Sequence, residues 1–187
     1  VVRDVSRVWW QQVAIAEIQG HQLLDEAIAN LQGLIALDAS GDSLALTTVV
    51  DEITGHYLRD RTTEDGLEKS VLALDNQEYA KTKAILALYS AYNTLGQQVF
   101  NQQLAQFYQQ QRLNTQLPLA NAEQLFGLLQ LGASDADIKQ QLNDLFTSTR
   151  YYDFQIATTE SNGRSGGGYQ LQASFNASEY RYGSGKD

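Results

Sequence analysis

Cysteine and methionine are both missing from this chain, and its 187 residues hold only one proline, two histidines and two tryptophans. Without cysteine there is no disulfide framework, no thiol nucleophile and no cysteine-ligated zinc, while the redox compartment stays open. The lack of methionine, with Val1 at the start, leads us to expect a processed or excised segment of a longer product. No window approaches the roughly 18 apolar residues of a spanning helix, so the segment is expected to be soluble. Any membrane proximity would come through sequence upstream of Val1.

Positive charge is also scarce. The chain carries 13 basic against 22 acidic residues, and residues 1–148 hold 9 and 18 of them, so the net charge of −9 belongs to that region. Residues 149–187 balance four against four. An acidic body repels a phosphate backbone, and no basic stripe is interleaved with aromatics, which excludes nucleic acid as the expected partner. Anionic membrane surfaces are disfavoured for the same reason. At this length one domain, or one domain with an appendage, is expected.

Apolar residues spaced by threes and fours dominate the first 148 positions. Val2, Val5, Trp9, Val13, Ala16, Gly20, Leu24, Ala27, Leu31 and Leu34 predict one long amphipathic helix over 1–38. Leu46, Val49, Val50, Ile53 and Tyr57 predict a second, followed by a polar run and a short apolar segment, Leu67 to Leu74. Tyr79 to Leu113 again reads as helix, with Gly96 as a break or kink. Its polar face is mostly glutamine, with Lys81, Lys83 and Arg112, and no acidic residue falls between Glu78 and Glu123. Such a face packs against acidic helices, or against another chain, at low desolvation cost. Asn121 to Gln124 is a capping-box pattern, and Ser134 to Asp137 opens a further helix.

At Arg150 the period changes to two. Tyr152, Phe154 and Ile156, then Tyr169, Leu171, Ala173 and Phe175, alternate with polar residues on either side of a glycine-rich turn. The expected fold is therefore mainly α, a bundle of about five or six helices over 1–148, with a C-terminal β-hairpin over 149–182 packed on the bundle or on a partner. Residues 183–187 are expected to form a disordered tail.

Both histidines sit in one repeated frame. Glu17, Ile18, Gly20, His21, Leu23 and Asp25 recur in register as Glu52, Ile53, Gly55, His56, Leu58 and Asp60, 35 positions later. On a helix, Glu-x-x-x-His places carboxylate and imidazole one turn apart on one face, the arrangement a divalent metal site or an acid/base pair requires. The metal reading names Glu17, His21, Glu52 and His56. The spacing matches neither the Glu-x-x-His of di-iron bundles nor the His-Glu-x-x-His of zinc proteases. The glycine before each histidine favours the plainer reading, a repeated close helix crossing with no bound cofactor.

No nucleophile elbow, Walker lysine or calcium loop is present. Adjacent Trp9 and Trp10 face opposite sides of a helix, which leaves one exposed as a partner surface or a membrane-proximal anchor. These features point to a non-catalytic protein-interaction or scaffold domain that binds a protein partner or itself, outside the cytoplasm and in the cell envelope. Two alternatives stand beside it: a metal-binding domain, and an extracytoplasmic helical sensor with a small-ligand pocket between its long helices.

Overall fold

The computed structural model describes residues 2–15, 20–21, 23–63, 68–163 and 168–182. The chain is mainly α, a helical bundle followed by a two-stranded antiparallel hairpin. It divides into two compact units, Val1–Ser148 and Thr149–Asp187. The terminal residues 183–187, expected as a disordered tail, lie outside the described residues, as does Glu17.

Seven α-helices are present among the described residues, because the expected long N-terminal helix is divided. Helix α1 (Val2–Trp10) stops after nine residues, a π-helical turn covers Leu23–Ala27, and α2 runs Ile28–Ser40. After α1 two isolated bridges follow, Val13 with Arg112 and Ile15 with Ala120. The backbone bonds from Leu113 N–H to the Gln12 carbonyl (2.9 Å) and from Ala120 N–H to the Ala14 carbonyl (3.1 Å) hold the chain there. Valine and isoleucine suit an extended, half-buried backbone, and here tertiary pairing outweighs helical periodicity.

Gly20 closes this detour. Its φ of +83° lies where side chains are disfavoured, and an added Cβ would stand 2.8 Å from Ala122 Cβ and 2.9 Å from the Leu72 carbonyl oxygen.

Helix α3 (Ser43–Asp60) begins at Asp42, whose carboxylate accepts the Ala45 N–H at 3.0 Å. It lies on the surface, packing its half-buried stripe of Leu46, Val49, Val50, Ile53 and Tyr57 onto the core. Helix α4 (Ala80–Leu95) is the central element, in contact with α2, α3 and two later helices, α5 (Gln97–Gln111) and α7 (Ala136–Thr147). Its buried Ala80, Ala84, Ala87 and Ala91 let neighbours approach closely around Ile85, Leu88 and Tyr92. Gly96, with φ +80°, separates α4 from α5 as the sequence suggests. Helix α6 (Ala122–Gly132) carries the expected capping box, and Asp135 caps α7 by accepting the Ile138 N–H at 2.8 Å.

The core is one cluster in which Phe100, Phe107 and Phe146 are fully buried beside Leu23, Leu24, Ile28, Leu31 and Leu34. A polar knot joins the end of α3 to α4 at its edge. Glu68, with its side chain 5% exposed, accepts from Lys83 Nζ at 2.6 Å and from the Tyr57 hydroxyl, and pairs with Arg61 at 3.5 Å. Lys83 also donates to the Lys69 carbonyl. Burial pulls the Lys83 ammonium below its ordinary value, and the hydrogen bond and charge of Glu68 pull it back.

Strands β1 (Thr149–Gly163) and β2 (Tyr169–Tyr182) pair from Thr149 opposite Tyr182 to Gly163 opposite Tyr169. The register slips once, between Ile156 and Thr158, so Ala157 is a bulge.

Candidate functional site

The repeated histidine frame adopts two different structures. His56 stands exposed on α3, one turn beyond exposed Glu52, and Arg59 Nη2 donates to its Nδ1. A guanidinium only donates, so Nδ1 is the accepting nitrogen in this arrangement. His21 is half-buried in the turn between Gly20 and the π-helical segment, and its carbonyl accepts the Leu24 N–H at 2.9 Å. Among the described residues no group of three or more His, Asp or Glu side chains is placed to hold a metal ion. The helix crossing expected at both glycines is found at neither: Gly20 lies in a turn, tightly enclosed by Leu72 and Ala122, and nothing lies within 4 Å of a Cβ added at Gly55.

The tryptophan pair has organised surroundings. Trp10 is 6% exposed and stacks on Phe107, with ring centroids 6.3 Å apart, while Tyr108 meets it edge-on at 5.4 Å. Trp9, about 100° further round the helix, is 60% exposed, with its ring 5.9 Å from that of Tyr108. The Tyr108 hydroxyl donates to Gln12 Oε1 at 3.0 Å, which holds the ring between the two indoles. An ion pair from Arg7 to Glu26 (3.0 Å) ties α1 to the rest of the bundle.

A cavity of about 510 Å³ opens beside this aromatic trio. Its walls come from α1, α2 and α5, and the polar groups include the amides of Gln12, Gln32, Asn101 and Gln109 and the Arg112 guanidinium. A second cavity of about 440 Å³ lies on the other flank of Trp9, bounded by Val2, Val5, Ser6 and Gln32. Trp9 and Gln32 line both, so the two adjoin at the indole, and we refer to them together as the groove. Among the described residues no carboxylate lines either part.

Lys81 and Lys83, the other cations of the glutamine-rich segment, pair with Glu26 and Glu68. Arg112 has no ion pair among the described residues, and the Ser6 hydroxyl is buried without a hydrogen-bond partner. Val2, Val5 and Trp9 recur at i, i+3 and i+7 and are 46%, 57% and 60% exposed, so α1 turns an apolar stripe outward along the groove.

The sequence flagged the tryptophans and the glutamine face separately. It gave no signal that Trp9 would stand beside Tyr108, because that meeting is fixed by contacts between segments far apart in sequence. No family model, curated protein or solved structure matches the chain.

Proposed function

We propose that this chain is a non-catalytic protein-interaction domain, acting in the cell envelope, and that the α1–α2–α5 groove is its docking surface. The observation that carries the reading is Trp9, 60% exposed and shared by both cavities, whose lining adds neutral amides and Arg112. Binding energy at protein interfaces concentrates in tryptophan, tyrosine and arginine at the centre of a patch, ringed by polar groups of low desolvation cost. The groove supplies each of these. Its lining offers stacking and hydrogen bonding rather than an acid/base pair, which supports binding as its task.

A photoreactive amino acid at Gln109, an exposed residue of the groove lining that leaves Trp9 in place, tests the proposal, with one at exposed Leu58 on α3 as control. Cross-linking in cells to a discrete protein from position 109 and not from position 58 is expected. Equal cross-linking at both, or none at either, contradicts the proposal. The cavity volume supports a second reading, a sensor for a small ligand, since drug-sized ligands occupy pockets of about 300–1,000 Å³. Both tryptophans line the cavity, so a change in intrinsic fluorescence with a low-molecular-weight extract, lost in Trp9→Phe, distinguishes that reading from the first.

A further inference from the structure

We infer that the hairpin β1–β2 is a membrane-spanning pair of strands whose apolar face is covered by lipid hydrocarbon. The helices of the described residues are not long and apolar enough to cross a bilayer, but strands cross by a different pattern, one apolar residue in two.

Length is the first argument. Strands of 15 and 14 residues far exceed the roughly 5–6 usual in globular sheets. At about 3.3 Å per residue they reach about 50 Å, or about 35 Å when tilted by about 45°, which covers a hydrocarbon core of about 30 Å.

Register is the second. The pairing sets Ile156 opposite Phe175 on one face, which continues through Ala173, Leu171 and Tyr169. The bulge at Ala157 brings Thr159 and Ser161 onto that face, small and uncharged. The opposite face carries Gln155, Thr158, Glu160, Gln172 and Ser174, with Thr158 and Ser174 joined by a hydroxyl hydrogen bond of 2.5 Å. Ile156, Leu171 and Phe175 are 64%, 73% and 64% exposed, so a long apolar face stands open beside a wholly polar one.

Charge is the third. Within 154–163 and 169–178 the only charged residue is Glu160, on the polar face, whereas the helical unit carries the whole net charge of −9. Tyr152 and Tyr169 hold register positions at the two ends of the face that carries Ile156 and Phe175. Spanning strands bear aromatic residues at both interfaces, an apolar outer face and a polar lumen face. A two-stranded sheet leaves both outer edges unpaired, so the hairpin occupies the bilayer with a further antiparallel strand on each edge, since hydrocarbon tolerates only a closed sheet.

The absence of cysteine from residues 1–187 means that this segment adds no background label. Single cysteines at positions 155, 156 and 171–176, in protein expressed from its own gene and recovered with the membranes, are labelled with a polarity-sensitive fluorophore and challenged with nitroxide-bearing lipid. Positions 156, 171, 173 and 175 should be quenched several-fold more than 155, 172, 174 and 176. Leu171→Arg should lower the membrane-recovered fraction several-fold, and Gln172→Arg should leave it unchanged. Recovery in the soluble fraction, quenching without alternation, or protection of the apolar face with no quenching by lipid, as under a protein sheet, overturns the inference.

Discussion

Gly20 and Gly55 occupy matching places in the repeated frame and do opposite work. At Gly20 a side chain meets Leu72 backbone at a positive φ, so Gly20→Ala should lose at least about 2 kcal/mol of unfolding free energy. At Gly55, exposed in mid-helix with open space around it, Gly55→Ala should gain about 0.5–1 kcal/mol. Urea unfolding of the two variants measures both. The repetition was legible as sequence, but its two conformations were not, because the letters around each glycine match while the contacts that fix its backbone come from Leu72 and Ala122.

The Glu68 knot gives a second test at this scale. Burial lowers the Lys83 proton affinity in the folded chain, so the unfolded chain holds that proton more tightly and stability rises as pH climbs toward the ordinary value of 10.5. Glu68→Gln removes the group that pulls Lys83 back and lowers its affinity further. Unfolding should show a deficit of about 3–5 kcal/mol at neutral pH, as for a broken buried pair, shrinking as pH rises to 10.5. A deficit independent of pH would assign the loss to Tyr57 and Arg61 instead.

Among elements, α1 carries the clearest division of labour. Trp10 and Trp9 are neighbours in sequence, yet one is packed on Phe107 and the other stands in the groove. Trp10→Ala should cost about 3–5 kcal/mol by opening a cavity. Trp9→Ala should change stability by no more than about 0.5 kcal/mol while removing partner binding. Thermal unfolding of both variants, with the binding assay for the second, checks the pair. Element identity was largely readable for α3 to α7, where Asn121 caps α6 as the sequence indicates, Ser134 to Asp137 opens α7 and Gly96 separates α4 from α5. The N-terminal detour was hidden because Val13 fits both a helical stripe and an extended bridge, and only Arg112 decides between them.

For the molecule as a whole, charge divides with architecture. The acidic helical unit holds a groove lined, among the described residues, by aromatics, amides and Arg112, and the neutral hairpin presents one apolar and one polar face. The two surfaces make separate demands, a partner at Trp9 and a covering for Ile156, Leu171 and Phe175, so losing one in a variant should leave the other intact. The central claim is that the groove is filled by a partner in the cell. Hydroxyl-radical footprinting of Trp9 in intact cells, compared with the purified chain and referred to exposed Leu44 and Leu58, measures this directly. Trp9 should be oxidised several-fold less in cells while both leucines react alike in the two settings. Equal oxidation of Trp9 in cells and in isolation would contradict the account.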